Sequence, residues 1–121
     1  MQYEAITRNS DFTRAYKRGK SLVHSQVVIY INKNRCGATR VGITASKKIG
    51  GAVQRNRARR VIRHALYEAL PKYAGSLDFV FVARGQTPHL KSQQLAKTIR
   101  KLLQQAGIQL VQTNENVDNT P

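Results

Sequence analysis

The sequence predicts a single α–β sandwich of the α+β or α/β class, built on one sheet. Three observations predict it. Runs rich in β-branched residues occupy 26–31 and 40–45. A third run, 77–83, is apolar nearly throughout apart from Asp78. Two longer segments, 55–70 and 91–106, carry apolar residues at three-to-four spacing. At 121 residues and 40% hydrophobic, the chain suffices for one compact domain and not for two. We assign that domain to residues 1–111 and read the polar stretch 112–121 as a frayed tail.

Taken in order, Asn9 and Ser10 are good helix N-caps and Gly19 a good residue just past a helix end. Phe12, Ala15 and Tyr16 lie between them at i, i+3 and i+4, so a first helix is expected over 10–18. A short extra strand fits 20–25. Strand 26–31 has Val27, Ile29 and Ile31 on one face and Val28 and Tyr30 on the other. Lys33, Asn34 and Gly37 mark a turn over 32–38. In 40–45, Val41, Ile43 and Ala45 alternate with Arg40, Gly42 and Thr44. These two strands are expected to form a hairpin. A loop follows at 46–54, with Gly50 and Gly51.

The strongest helix is 55–70, with Ala58, Val61, Ile62, Ala65, Leu66 and Ala69 on one stripe and Pro71 as its stop. Strand 77–83 reads as buried on both faces, hence central in the sheet. The last helix, 91–106, turns Leu95, Ile99, Leu102 and Leu103 inward and is followed by Gly107.

The charge is one-sided: 21 Lys+Arg against 6 Asp+Glu, a formal net charge of +15. So much like charge implies a polyanionic partner, nucleic acid before anionic membrane. No run approaches the ~20 apolar residues of a membrane span, and 1–12 has no apolar signal core. Cys36 is alone, which excludes an internal disulfide and a Cys-rich metal site. A cytoplasmic protein is the simplest expectation.

Lys47, Lys48, Arg55, Arg57, Arg59, Arg60 and Arg63 place seven of the 21 cations within 17 residues. On the 55–70 helix, Asn56, Arg59, Arg60, Arg63, His64 and Tyr67 centre opposite the apolar stripe, with Arg57 on the flank. No acid interrupts that face before Glu68. Solvated helix faces normally mix signs. A single-signed arginine face suits bidentate phosphate contact and stacking on bases. Gly50-Gly51 fits a phosphate loop and a plain turn equally well.

Phe12 and Tyr16 share a helix face, and Val28 and Tyr30 share a strand face. An aromatic floor beside a basic helix suits unpaired bases. Packing of the first helix on the sheet explains Phe12 and Tyr16 as well.

A protein cutting phosphodiesters unaided needs metal-binding carboxylates or an acid/base pair. Glu4, Asp11, Glu68, Asp78, Glu115 and Asp118 are scattered, and His24, His64 and His89 lack metal-ligand spacing. Any active site is expected in another molecule.

The run Ser46-Lys-Lys-Ile-Gly-Gly-Ala-Val-Gln-Arg-Asn-Arg-Ala-Arg-Arg-Val-Ile-Arg-His64 resembles the bacterial ribonuclease P protein signature, S-K-K-x-G-x-A-V-x-R-N-R followed by a basic helix. The flanks agree over about 8–106: Asp11-Phe12 to Gly19, Val27-Val-Ile-Tyr30, Arg40-Val-Gly-Ile-Thr, and Asp78-Phe-Val-Phe-Val-Ala-Arg84. The resemblance implies an α+β sandwich with one mixed sheet and a left-handed crossover through the basic helix. It implies a protein subunit that joins a catalytic RNA and precursor tRNA, with Mg²⁺ held mainly by the RNA and with no protein partner required. The complex would remove the 5′ leader endonucleolytically. Lys47, Lys48, Arg55, Asn56, Arg57, Arg59, Arg60 and Arg63 then stand as the RNA-contacting set, and Phe12, Tyr16, Val28 and Tyr30 as the leader cleft. Tyr16 stands where Phe is frequent in the family, and Val27 replaces a frequent Phe; alternation puts Val27 in the core. A ribosomal protein of similar fold leaves the Arg55-Asn56-Arg57 run in its context unexplained. A helix-turn-helix DNA-binder lacks its first helix here.

Overall fold

The computed structural model describes residues 3–70 and 75–108. Strands β1 (Glu4–Ala5), β2 (Lys20–Val23), β3 (Val27–Lys33), β4 (Arg40–Thr44) and β5 (Leu77–Ala83) form one sheet in the order β1-β4-β5-β3-β2. Helices α1 (Asn9–Arg18), α2 (Ala52–Ala69) and α3 (Ser92–Gln105) pack on it, with short 3-10 turns at Lys47–Ile49 and Thr87–His89. The sheet is mixed, as expected: β4 runs parallel to β1 and β5, and β3 runs antiparallel to β5 and β2. The expected tail from residue 112 and the stop at Pro71 lie outside the described residues.

The run from Phe79 to Phe81 is fully buried, and β5 is the central strand that its composition predicts. That placement corrects the expected hairpin. β3 and β4 do not pair, because β5 lies between them and bonds to both. β5 carries fully buried apolar side chains on both faces, with Phe79 and Phe81 on one and Val80 on the other, so burial draws it into the middle.

One face of the sheet carries the main core. Val27, Ile29, Ile31, Val41, Phe79 and Phe81 meet Ala58, Ile62, Ala65 and Leu66 of α2 and Leu95, Ile99 and Leu103 of α3. Val27 is fully buried there, as its alternation requires. Each of these large side chains contributes ~1.5–3 kcal/mol by leaving water. At the end of α2, the Tyr3 hydroxyl donates to the carbonyl of Leu70 and, at 3.3 Å, to that of Leu66.

The opposite face is covered only in part. Helix α1 buries Ile6, Ala15 and Val80 there, with Phe12, Tyr30 and Val82 packed against them. Its start differs from expectation: the N-cap is Arg8, with no side-chain cap bond, and Asn9 is already helical. Gly19 ends it at φ −74°, not in the left-handed region. Space is the reason for that glycine, since a Cβ there would stand 2.4 Å from the carbonyl oxygen of Ala15 and 2.9 Å from that of Ile31.

Candidate nucleic-acid interface

Pairing register builds the open part of that second face. Val82 lies opposite both Thr44 and Val28, and Val28 lies opposite Val23. Directly opposed residues share a face, so Thr44, Val82, Val28 and Val23 form a row across β4, β5, β3 and β2. The next row is Gly42, Val80, Tyr30 and Ser21. Helix α1 seats on this second row and leaves the first one open. Thr44, Val28 and Val82 are half-buried, and Val23 is 67% exposed.

The aromatics divide their work. Phe12 is half-buried against the sheet, so the packing reading holds for it. Tyr16 is 43% exposed, and its ring meets that of Tyr30 edge-on at 5.0 Å. Two aromatic edges and an apolar row thus border one shallow cleft, with Phe12 as its support and Val28 in its floor. Sequence reasoning missed Val23, Thr44 and Val82. Their signal was available only once β2, β4 and β5 had been put in register.

Helix α2 lies on the other face of the sheet but starts at the cleft's end. β4 finishes at Thr44, in the open row, and residues 45–51 lead into Ala52. Because β4 and β5 are parallel, α2 must run back along the sheet, which puts its basic first turns at the open row's end and Glu68 at the far end. Lys47 and Lys48 lie exposed on the 3-10 turn that precedes it. Gly50, at φ 139°, makes the link to α2 in a conformation suited to glycine.

Asn56, Arg57, Arg60 and Arg63 are exposed on α2, while Ala58, Ile62, Ala65 and Leu66 are buried. Arg59 is half-buried and donates to Asn56 Oδ1 at 3.2 Å. Arg55 sits further in than the others and is also half-buried. Its Nε, like Gln54 Oε1, is buried without a hydrogen-bond partner among the described residues. Buried polar atoms of this kind favour a ligand group that can complete them. The structure therefore brings the basic set together on one helix and its lead-in turn, and Phe12, Tyr16, Val28 and Tyr30 together at the cleft.

The acids do something else. Arg40 donates to both carboxylate oxygens of Asp78, at 2.8 and 2.7 Å, and approaches Asp11 at 3.4 Å. Asn34 Nδ2 adds a bond to Asp78 at 2.8 Å, and Arg14 pairs with Asp11 at 3.3 Å. The bond to Asp78 holds the Arg40 guanidinium firmly in its charged form. Both buried carboxylates are thus engaged by guanidinium groups. Among the described residues no three His, Cys, Asp or Glu side chains cluster to hold a metal ion. No described helix is long and apolar enough to cross a membrane.

A single-signed basic helix beside a half-open aromatic sheet face defines an α+β protein of the nucleic-acid-binding class. Comparison narrows the class. The family model described as Ribonuclease P matches residues 1–107. The ribonuclease P protein component of Pelotomaculum thermopropionicum is 41% identical over 105 residues, which cover 87% of this chain and 94% of that protein. Its counterpart in Clostridioides difficile is 37% identical, over 88% of this chain and 95% of that one. Among solved structures, the Staphylococcus aureus RNase P protein superposes with a TM-score of 0.70 at 30% identity, covering 86% of this chain and 95% of that one. The Thermotoga maritima RNase P protein gives 0.61 at 26% identity, covering 93% and 99%. The chain belongs to the ribonuclease P protein family. The family's role is that of a protein component acting with a catalytic RNA in maturation of the tRNA 5′ end.

Proposed function

We propose that this chain serves ribonuclease P through two surfaces that meet at one end of its sheet. The cleft formed by Tyr16, Tyr30, Val28 and Phe12 takes unpaired nucleotides of the 5′ leader. The basic set on α2 and its lead-in turn, Lys47, Lys48, Arg55, Asn56, Arg57, Arg59, Arg60 and Arg63, takes phosphates of the RNA partner. The observation that carries this reading is the half-exposed Tyr16 ring standing edge-on to Tyr30 above an open apolar row. Bases stack on such rings whatever their identity, which fits a ligand that varies in sequence.

The hydrolytic chemistry would come from Mg²⁺ bound mainly by the RNA. This chain's own contribution is binding. The arginines neutralise phosphate repulsion, and the cleft fixes the leader so that the precursor is held in one orientation on the RNA. Its place of work, the bacterial cytoplasm, follows from precursor tRNA as substrate. The assignment of residues 1–111 as the RNA-binding domain belongs to the same proposal.

The test is a comparison of two ligands. In the enzyme reconstituted with a bacterial ribonuclease P RNA, Tyr30→Ala is expected to weaken binding of leader-bearing precursor by ~1–3 kcal/mol per lost stack. Mature tRNA binding stays as it was. Equal losses for both ligands contradict a leader cleft.

A further inference from the structure

On the side of α1 away from the aromatic cleft lies a groove of about 1030 Å³ between α1 and the β3–β4 connection. Arg8, Arg14, Arg18, Lys33, Arg35 and Arg40 line it. Among the described residues, the ion pairs here are those of Asp11 and Asp78 with Arg40 and Arg14. Arg8, Arg18, Lys33 and Arg35 take no part in them. None of the residues lining the groove is aromatic. It is built to attract anions and has no ring on which a base can stack.

A second, shallower depression, of about 390 Å³, runs over the outer face of α1 and is lined by Ser10, Thr13, Arg14, Lys17 and Arg18. At 100° per residue, Tyr16, Thr13, Lys17, Ser10, Arg14 and Arg18 succeed one another around the helix. The aromatic cleft thus passes without a break into a cationic path over α1 and down into the groove. The crossing is about one helix diameter, ~10 Å.

We propose that this path holds the sugar–phosphate backbone of the distal, unpaired part of the 5′ leader, beyond the nucleotides seated on Tyr16 and Tyr30. The inference rests on the leader-cleft reading above and extends it. Continuity with the cleft selects the leader as occupant over a separate helical RNA. The absence of aromatics and the presence of cations make the contact independent of base identity. The cleft supplies stacking for the proximal leader, and the groove supplies charge for the distal leader.

The experiment uses the reconstituted holoenzyme and three ligands: precursor tRNA with a leader just long enough to fill the cleft, the same precursor with a long leader, and mature tRNA. The proteins are wild type, the triple variant Arg18→Ala/Lys33→Ala/Arg35→Ala, the charge-preserving Arg18→Lys/Arg35→Lys, and Tyr30→Ala. Wild type is expected to bind the long leader more tightly than the short one. The triple variant loses that gain, and its salt dependence for the long leader becomes shallower by roughly two units of log–log slope, at ~0.7 per lost single-strand contact. Its affinity for the short leader and for mature tRNA is unchanged, and the lysine variant keeps the gain. Matching urea midpoints for all variants exclude misfolding.

Three results overturn the proposal: no gain from the long leader in wild type, a triple-variant loss that is equal for all three ligands, or a triple variant that keeps the long-leader gain. The second assigns the groove to another RNA segment. A Tyr30→Ala enzyme that binds the short leader normally contradicts the cleft reading instead, because the long-minus-short difference is read independently of it.

Discussion

The ring of Phe12 rests on Gly42: a Cβ at position 42 would stand 2.6 Å from Phe12 Cε1 and 2.8 Å from Cζ, with Ile6 Cβ at 3.3 Å. The missing side chain lets Phe12 lie over β4 while α1 seats on β3 and β5 and presents Tyr16 to Tyr30.

Gly42→Ala is therefore expected to lift Phe12 and cost ~1–3 kcal/mol of stability by overpacking. Phe12→Leu in the same chain relieves part of that cost, which appears as coupling in a double-mutant cycle of urea denaturation. Gly19→Ala is expected to cost more than Gly42→Ala, because the atoms it meets are the backbone oxygens of Ala15 and Ile31, which cannot swing away. Additive effects at positions 12 and 42 contradict the contact.

The Arg40–Asp78 pair predicts a contrast between two arginines. Asp78 is 2% exposed, and Arg40 engages both of its oxygens. Arg40→Ala leaves that carboxylate buried with Asn34 as its remaining side-chain donor among the described residues, and costs ~3–5 kcal/mol. Arg14→Ala removes an ion pair whose cation is about half exposed, and costs under ~1 kcal/mol. Equal effects in chemical denaturation contradict the assignment of Arg40 as the anchor between α1, β4 and β5.

Tyr3 predicts an alkaline dependence. Burial, helped by the nearby Tyr67 phenol, raises its pKa from 10.0 to about 12. The folded state favours the neutral phenol, so this stabilisation is complete below pH 10 and is lost as pH rises from about 10 to about 12. Tyr3→Phe removes the bonds to Leu66 and Leu70 and costs ~1 kcal/mol near neutral pH. The stability difference between wild type and Tyr3→Phe shrinks across that alkaline window. A constant difference rules out Tyr3 as the titrating group.

The α2 face predicts a salt signature. Arg57→Ala or Arg60→Ala is expected to weaken binding to the ribonuclease P RNA and to lower the log–log salt slope by about one unit per lost phosphate contact. Substituting Lys97, exposed on α3 and outside the basic set, is expected to leave the slope unchanged. An unchanged slope for Arg60→Ala contradicts the phosphate assignment.

The two RNA surfaces were unequally legible in the sequence. The α2 arginines occupy one helix, so helical periodicity alone sorts Ala58 and Ile62 inward and Arg60 and Arg63 outward. Alternation likewise settled the faces of Val27 and Tyr30. It did not settle neighbours: only a short connection separates β3 from β4, yet both pair with β5, whose hydrogen bonds come from far along the chain. The cleft row needed that pairing, since Thr44, Val82, Val28 and Val23 come from separate strands. The groove cations are scattered in the same way. Arg8 precedes α1, Arg14 and Arg18 lie on it, and Lys33 and Arg35 follow Asn32 in another layer, so no sequence window contains them. Arg40 gave no sign of its two carboxylate partners for the same reason.

The decisive measurement is cleavage of a precursor tRNA by a bacterial ribonuclease P RNA at low Mg²⁺, with and without this protein. The protein alone is expected to leave the precursor intact, the RNA alone to be nearly inactive, and the two together to release the 5′ leader. A protein that binds the RNA but leaves cleavage at its RNA-alone level contradicts the proposed function, as does a protein that cuts the precursor by itself.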